Sequence, residues 1–163
     1  MDEAKRYTTM ISPVGLLVIA GRKGAVTDLR FGAARGEVPA AGWKRDDAMF
    51  AAVKRELAAY FRGELRSFTA ALAPQGTPFQ LAAWRVLGAI PYGSTITYGE
   101  QARRIGTPGA ARAAGAANGA NPIAIIVPCH RVVGAGGRLG GYGGGLEAKR
   151  LLLQIEGVEG LRP

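Results

Sequence analysis

Residues 97–118 read TYGEQARRIGTPGAARAAGAAN, and this stretch decides the fold that we expect for the second half of the chain. Thr97 and Glu100 have the spacing of a capping box, which predicts a short helix to about residue 105. Gly106 is placed to end that helix, and Thr107 with its following proline opens another helix that runs to about residue 118. Two short helices joined by a tight glycine turn are typical of a helix-turn-helix, although many helical hairpins share this outline and never contact DNA.

Further elements are predicted on both sides of this motif. Thr77 and Gln80 form another capping box, with proline at the first helical position, ahead of apolar residues at helical spacing. After the motif, the apolar residues 122–127 predict a short buried strand, and a glycine-rich loop spans residues 134–145. A last helix ends near Glu156. The second half is therefore predicted to be a mostly helical, winged-helix-like domain.

The segment PQGTP at residues 74–78 carries two prolines and one glycine, which predicts a linker. We therefore expect a boundary between an N-terminal domain, residues 1–74, and a C-terminal domain, residues 75–163. In the first domain three apolar or β-branched runs, at residues 7–11, 16–20 and 25–31, predict strands.

A helix is predicted after these strands. Asp46 or Asp47 can cap its start and Gly63 can end it. Its apolar positions fall on one face, and they are Phe50, Val53, Leu57, Tyr60 and Phe61. The overall fold class is thus α/β: a small N-terminal sheet with a helix, expected to have a structural role, followed by a helical domain with a helix-turn-helix.

Composition narrows the class of protein. The chain has 163 residues and 48% of them are hydrophobic, which is enough to form a core. No run approaches the roughly 18 apolar residues of a membrane span, and the Met1-Asp2-Glu3 start does not resemble a signal peptide, so we expect a soluble cytoplasmic protein. The net charge is +9, and residues 66–163 hold ten basic against four acidic side chains. This balance favours a polyanionic partner, most often a nucleic acid.

Cys129 and His130 are the only cysteine and the only histidine in the chain. An intramolecular disulfide and a zinc site of the usual kind are therefore excluded. A thiol attacks as its thiolate, so a nearby base must remove its proton, and Glu156 is a carboxylate able to orient the imidazole. Neighbouring side chains of an extended segment point to opposite faces, so we expect His130 to reach Cys129 through a water.

The segment NPIAIIVPCHRVVG, residues 121–134, resembles the active-site signature of the O6-alkylguanine-DNA alkyltransferases, also called methylated-DNA–protein-cysteine methyltransferases. Four further segments are similar to this family: IPYG at 90–93, TYGE at 97–100, GGYGGGL at 140–146 and LQIEG at 153–157. The helix at 110–118 also matches the DNA-binding helix of the family. The strong resemblance covers residues 76–157, and the N-terminal strands fit more loosely.

The resemblance implies a role in DNA repair. Cys129 would accept the alkyl group irreversibly, once per molecule, from a base that is flipped out of the duplex. His130 and Glu156 would activate it through a water, with Asn121 bracing the same network. Tyr98 would protonate the departing guanine and help to turn the nucleotide.

The resemblance also implies how the DNA is held. Arg112 would fill the gap left by the flipped base. Ala110 and Ala113, on a helix of small side chains, would allow close approach to the minor groove, which is roughly 6 Å wide. The base pocket would be formed by Tyr142, the backbone of Gly143, Pro128, and the carbonyl groups of Cys129 and Val132. Gly143 stands where some relatives carry serine, which suggests a looser pocket.

The expected partner is double-stranded DNA that contains O6-alkylguanine, and O4-alkylthymine remains open as a second substrate. We expect a monomer, with cooperative binding on DNA left open, and neither a metal nor a cofactor. Arg103, Arg104, Lys149 and Arg150 are candidates for phosphate contacts or for ordinary solvated charge. The alternatives are a non-catalytic sensor of alkylated DNA, or a regulatory DNA-binding protein, and a Cys-His hydrolase on another fold; Cys129 argues against the first and the helix-turn-helix with Arg112 against the second.

Overall fold

The computed structural model describes residues 4–32 and 39–163, and the chain divides into two compact units, Met1–Gln75 and Gly76–Pro163. The first three residues, on which the expectation about a signal peptide rests, lie outside the described part. Within the described part, no helix combines the length and the apolar character needed to cross a membrane.

The first unit is a four-stranded sheet with one helix. The strands are β1 (Arg6–Ser12), β2 (Gly15–Arg22), β3 (Ala25–Phe31) and β4 (Lys44–Arg45), in the order β3-β2-β1-β4. The first three strands are antiparallel neighbours and confirm the predicted runs, whereas β4 pairs in parallel with β1 and was not predicted. The chain returns to the sheet after the helix, where Leu72 forms a parallel bridge with Val26.

Helix α1 (Ala51–Phe61) covers the sheet with the apolar face that its spacing predicts. Leu57 and Tyr60 are fully buried, as are Leu17, Ile19 and Leu29 of the sheet. The prediction that Asp46 or Asp47 caps this helix was wrong. The N-cap is Phe50, while the Asp46 carboxylate accepts a bond from the amide of Met49 and Asp47 accepts one from the hydroxyl of Thr8. Gly63, with a φ of 74°, follows the end of the helix as expected.

A buried carboxylate of β3 binds two side chains of its own strand and a lysine that precedes β1. Asp28 accepts hydrogen bonds from Lys5 at 2.7 Å, from the hydroxyl of Thr27 at 2.6 Å and from Arg30 at 2.9 Å. Burial acts to raise the pKa of Asp28, but these three donors outweigh it and hold the pKa below its usual range. The cluster gives the first unit a charged centre that depends on an ionised Asp28.

The second unit is mainly helical. Its elements are α2 (Pro78–Gly88), β5 (Ile96–Thr97), α3 (Tyr98–Ile105), α4 (Ala111–Gly119), β6 (Val132–Val133) and α5 (Leu146–Ile155), with two short 3-10 turns at Cys129–Arg131 and Ala135–Gly137. Strands β5 and β6 pair in parallel. The mixed architecture, a small sheet unit followed by a helical unit, agrees with the predicted fold class.

Local signals place the starts and ends of most of these helices. The capping box of α2 is complete, since Thr77 and Gln80 each accept a bond from the backbone of the other. Thr97 caps α3 through the amide of Glu100, and Gly106, with a φ of 96°, ends that helix in the left-handed region. Helix α4 begins at Ala111 without a side-chain cap, so the predicted cap at Thr107 was wrong.

Helices α3 and α4 form the predicted helix-turn-helix, and a reciprocal pair of amides joins them. Gln101 donates to the oxygen of Asn118 at 2.7 Å, and Asn118 donates to the oxygen of Gln101 at 2.8 Å. Gln101 is fully buried, so its amide needs such a partner. On the other side of α4, the Trp84 indole donates to the carbonyl oxygen of Ala117 at 2.9 Å. These bonds fix the orientation of α4 within the unit.

Residues 122–127 are not the buried strand that their apolar composition predicts. They form tight turns, in which the amide of Val127 donates to the carbonyl oxygen of Ile123, and Ile125 has a φ of 71°. The Asn121 side chain closes the loop: its oxygen accepts from the amide of Ile123 and its nitrogen donates to the carbonyl oxygen of Val127. An apolar run can therefore be buried in turns, where the Asn121 side chain satisfies two of its backbone groups.

Candidate active site

Cys129 begins the 3-10 turn that follows this loop, and it lies on the wall of a cavity of about 350 Å³. The cavity is lined by Tyr98, Gly115, Asn118, Gly119, Cys129, Gly141, Tyr142 and Gly143. Its volume falls in the ordinary range for small-molecule sites, and four of its eight lining residues are glycines. Cys129 is partly exposed, so its sulfur is accessible from the cavity. The direction of the Cys129 side chain is therefore set by a 3-10 turn and not by an extended strand.

His130 is fully buried and lies against Glu156, the last residue of the site in the sequence. Its Nε2 atom is 2.7 Å from Oε2 of Glu156, whose side chain is also fully buried. The predicted pair is thus brought together across 26 residues of sequence. Burial lowers the pKa of His130, and the positive charges of Arg131 and Lys149 lower it further, while Glu156 acts in the opposite direction. The imidazole is therefore neutral at pH 7 and can act as a base.

Arg131, which the sequence analysis left without a role, completes this cluster. Its Nε donates to Oε1 of Glu156 at 2.8 Å, its Nη2 donates to Oε2 at 3.2 Å, and its Nη1 donates to the carbonyl oxygen of Ile90 at 2.7 Å. The amide of Gly93 adds a bond to Oε1 of Glu156 at 3.2 Å. One carboxylate is thus shared by an arginine, a histidine and a backbone amide.

Lys149 was expected on the surface, and this prediction was wrong. Lys149 is fully buried, and its Nζ donates to the carbonyl oxygens of Val132 at 2.7 Å and Gly141 at 3.3 Å. Burial lowers the pKa of Lys149 to about 8, although the charge of the Cys129 thiolate acts to raise it. The spacing of Lys149 with Leu152, Leu153 and Glu156, all on the buried face of α5, was the signal that could have revealed it.

The thiol of Cys129 has two electrostatic neighbours. Burial raises the pKa of Cys129, whereas a hydrogen bond with Asn121 and the positive charge of Lys149 lower it. The balance leaves the pKa above its ordinary value, so the resting side chain is a neutral thiol at pH 7. Asn121 was predicted to brace the network that joins Cys129 to His130 and Glu156. Its amide holds the loop before Cys129 and forms a hydrogen bond with the thiol.

Tyr98, at the first position of α3, also lines the cavity. Gly115 and Gly140 leave room for its ring, since a Cβ added at Gly140 would lie 2.7 Å from the Tyr98 hydroxyl. Burial raises the pKa of Tyr98, and a negative charge on Cys129 raises it further. The phenol therefore keeps its proton and can donate it. The Nζ of Lys149 lies 5.9 Å from the centre of the Tyr98 ring.

The predicted pocket residues separate into two groups. Tyr142 and Gly143 line the cavity, and the ring of Tyr142 meets His130 edge to face at 6.5 Å. Pro128 and Val132 are buried and do not belong to its wall. The Val132 carbonyl already accepts a bond from Lys149, and the Cys129 carbonyl accepts one from the backbone. Each carbonyl has room for one further donor.

The first turn of α4 presents the predicted DNA-binding residues. Arg112 and Ala113 are exposed, and Ala110 is half-buried just before the helix. Arg103 and Arg104 form ion pairs with Glu100 within α3, so they are not isolated cations. In the described residues, no group of three or more His, Cys, Asp or Glu side chains is arranged to hold a metal ion.

Family models match nearly the whole chain. The DNA-binding domain of 6-O-methylguanine DNA methyltransferase matches residues 78–158, and the ribonuclease-like domain of the same family matches residues 5–74. A methylated-DNA–protein-cysteine methyltransferase from Mycolicibacterium paratuberculosis is 53% identical over 150 residues, which cover 92% of this chain and 91% of the relative. A protein with the same name from Methanosarcina acetivorans is 50% identical over 153 residues, covering 93% and 97%.

Solved structures agree with this result. The crystal structure of the Mycobacterium tuberculosis O6-methylguanine methyltransferase superposes with a TM-score of 0.88 at 51% identity. The Mycobacterium tuberculosis protein OGT in complex with DNA gives a TM-score of 0.87 at 50% identity. Each comparison covers 93% of this chain and 92% of the other.

Proposed function

This chain belongs to the 6-O-methylguanine DNA methyltransferase family, and from that premise we propose that Cys129 is its alkyl acceptor. The protein repairs DNA by direct transfer of a methyl group to a cysteine of its own chain. The chain contains one cysteine, and that cysteine lies on the wall of a cavity beside a tyrosine, a lysine and an asparagine. This single accessible thiol is the observation that carries the proposal.

The reaction is a displacement at the alkyl carbon. A bond forms between that carbon and the sulfur of Cys129, and the bond between the carbon and O6 of guanine breaks. The thiol proton leaves through His130, and guanine gains a proton, so that the products are a thioether and ordinary guanine. A thioether is not displaced by water, so each molecule reacts once.

Proton transfer is divided between His130 and Tyr98. His130 is neutral and is oriented by Glu156 at 2.7 Å, which suits a base that takes the thiol proton through a water. Tyr98 keeps its proton at neutral pH and lines the same cavity as Cys129, which suits an acid that protonates the departing guanine. Lys149 supports the removal of the thiol proton, because its positive charge favours the thiolate of Cys129.

The substrate must leave the DNA stack before it can reach the cavity. Extrusion costs a few kcal/mol, and least for a damaged base. Arg112, exposed on the first turn of α4, would enter the duplex and replace the extruded base, while Ala110 and Ala113 keep that surface slim. The cavity of about 350 Å³ then holds the base next to Cys129.

DNA is the partner, and three finer statements form part of the proposal. The substrate is O6-alkylguanine in double-stranded DNA, the protein acts as a monomer, and it works inside the cell where the DNA is. We also propose that residues 1–74 are the structural domain and residues 75–163 the DNA-binding and acceptor domain.

Intact-protein mass spectrometry tests the acceptor. The protein is mixed with excess duplex that carries one O6-methylguanine, and an unmodified duplex serves as the control. We expect the mass of one methylene per chain, on Cys129, at saturation, and none in Cys129→Ala or with the control duplex. Arg112→Ala should bind the duplex and transfer more slowly. Retention of the modified duplex without any mass gain would overturn the proposal and would favour a non-reactive sensor of alkylated DNA.

A further inference from the structure

Among the described residues of the second unit, Glu156 is the carboxylate that accepts the largest number of hydrogen bonds. It accepts bonds from the Arg131 guanidinium on both oxygens, from Nε2 of His130 on one and from the amide of Gly93 on the other. Glu156 also caps the carboxyl end of α5, where the helix dipole disfavours a negative charge. An ionised carboxylate at this buried position therefore depends on the positive charge of Arg131.

We propose that Arg131 is a positioning residue of the transfer reaction, which keeps Glu156 ionised and His130 neutral so that the imidazole can take the proton of Cys129. This inference rests on the proposed function, because it names a residue that prepares the base of that reaction. Arg131 is not among the residues that line the cavity, and its guanidinium bonds to Glu156, which in turn contacts His130.

The bonds determine which ring nitrogen carries the proton. Both oxygens of Glu156 accept from Arg131, so the carboxylate is an acceptor and Nε2 of His130 must donate to it. The lone pair of the neutral ring then lies on Nδ1. If Arg131 were absent, the His130–Glu156 pair would bind one proton more readily, and an imidazolium or a protonated Glu156 would no longer present the same base.

Arg131 is itself held firmly in place. Its Nη1 donates to the carbonyl oxygen of Ile90, close to the carboxyl end of α2, where a positive charge is favoured. The ring of Tyr92 lies 5.8 Å from its guanidinium carbon, and the Tyr92 hydroxyl donates to the carbonyl oxygen of Ile155 at 3.1 Å. Arg131 thus joins three segments, after α2, before β6 and at the end of α5.

The charged and titratable groups around His130 are few. Glu156 and Lys149 face it from α5, Cys129 and Arg131 from its own turn, and Tyr142 from the glycine-rich loop. The charge of Lys149 also favours the neutral form of the His130 ring. Its hydrogen bonds, however, go to backbone carbonyls, whereas Arg131 bonds to Glu156. Removing the Arg131 charge therefore takes away the positive charge that bonds to Glu156, and Lys149 does not take its place.

His130 is the only histidine in the chain, so its ring nitrogens can be observed without ambiguity by NMR of the uniformly ¹⁵N-labelled protein. In a titration between pH 5 and 9 we expect the wild-type ring to be neutral, with its proton on Nε2, at pH 7, because burial holds its pKa below the ordinary value. In Arg131→Met the pKa of the ring should rise, so the ring should gain its second proton at a higher pH than in the wild type. Arg131→Lys keeps the charge but loses the fork, so its ring should remain neutral.

Single-turnover transfer rates measured over the same pH range give the second readout. The acid limb of the Arg131→Met profile should move to higher pH by about one unit, which corresponds to roughly a tenfold slower transfer on the acid side. Arg131→Lys should keep the wild-type profile at a lower rate, and Arg55→Met, which removes an exposed cation from α1, should change neither readout.

The outcomes separate this inference from the proposed function. A ring in Arg131→Met that stays neutral, with an unmoved pH profile, overturns the role of Arg131 even if transfer is slow. A wild-type protein that gains no methyl group overturns the proposed function, whatever the ring does. If Arg131→Met does not fold, the test rests on Arg131→Lys. A wild-type pH profile and a ring protonated at Nε2 in the folded Arg131→Lys support the inference. A ring that titrates in Arg131→Lys, unlike that of the wild type, contradicts it.

Discussion

The Nζ of Lys149 lies 2.7 Å from the carbonyl oxygen of Val132, so a fully buried cation is bonded to the backbone three residues after Cys129. No carboxylate shares this lysine among its described hydrogen-bond partners, which are two carbonyl oxygens. The negative charge that would balance Lys149 is the thiolate of Cys129, and two predictions follow from this pairing.

Replacing Lys149 by methionine should slow alkyl transfer at pH 7 by roughly tenfold or more, because the pKa of Cys129 rises when the nearby positive charge is lost. The rate of the variant should keep increasing with pH where that of the wild type levels off. Single-turnover kinetics on an O6-methylguanine duplex measure both effects. Arg55→Met is the control, because it removes an exposed cation from α1 in the unit that is expected to be structural. Equal rates for wild type and Lys149→Met would contradict the prediction.

The stability of the protein should depend on pH through Lys149. Its pKa is about 8 in the folded protein against 10.5 ordinarily, so between these values the unfolded chain binds a proton that the folded chain has released. The free energy of unfolding contributed by this group therefore rises with pH across that window, by about 3 kcal/mol. Urea denaturation at both ends of the window should show this rise in the wild type relative to Lys149→Met. A constant difference between the two proteins would argue that Lys149 does not titrate there.

Asp28→Asn should destabilise the first unit by about 2–3 kcal/mol at pH 7, because Lys5 and Arg30 lose a buried partner. The pKa of Asp28 is depressed, so its contribution is present above the ordinary pKa of 3.8 and is lost as the pH falls through the lower folded value. Denaturation at pH 7 and in this acid range measures the effect. Glu64→Gln breaks an exposed ion pair with Arg62 and should change stability little.

Gly140→Ala should slow transfer because a Cβ at this position meets the Tyr98 hydroxyl at 2.7 Å and would displace the proposed proton donor. Gly140 also has a φ of 71°, which costs any residue with a side chain about 1 kcal/mol. Gly136→Ala separates the two causes, because Gly136 has the same φ of 71° and open space around it. Transfer rates and melting temperatures of both variants are compared. Similar transfer rates in the two variants would show that the clash with Tyr98 has no consequence.

Much of the fold is visible in the sequence because it is locally determined. The strands β1 to β3 follow from apolar runs between turns, and the ends of α2 and α3 follow from Thr77, Thr97 and Gly106. Strand β4 could not be predicted, because a strand of two residues shows no alternation of apolar and polar residues. Its pairing with β1 depends on a contact between residues far apart in the sequence. The loop at residues 122–127 was mistaken for a strand because composition does not reveal that Asn121 satisfies its backbone.

The residues of the site also divide into those that the sequence reveals and those that it does not. Cys129, His130 and Glu156 were identified from an adjacent pair and a family signature, and the structure brings the last two within 2.7 Å. Arg131 and Lys149 were missed because charged residues are assigned to the surface by default. Their burial depends on partners far along the chain, at Ile90 and Gly141, and no local rule predicts such partners.

The reciprocal amide pair of Gln101 and Asn118 has a consequence for the thermodynamics of DNA recognition. Rotation of α4 against α3 requires both of these partly buried bonds to break together, so α4, the helix proposed to contact DNA, would meet the duplex already oriented. Little conformational entropy then remains to be lost by the protein on association. The heat-capacity change of DNA binding should accordingly correspond to rigid docking of a preformed surface, without the larger change that accompanies folding coupled to binding.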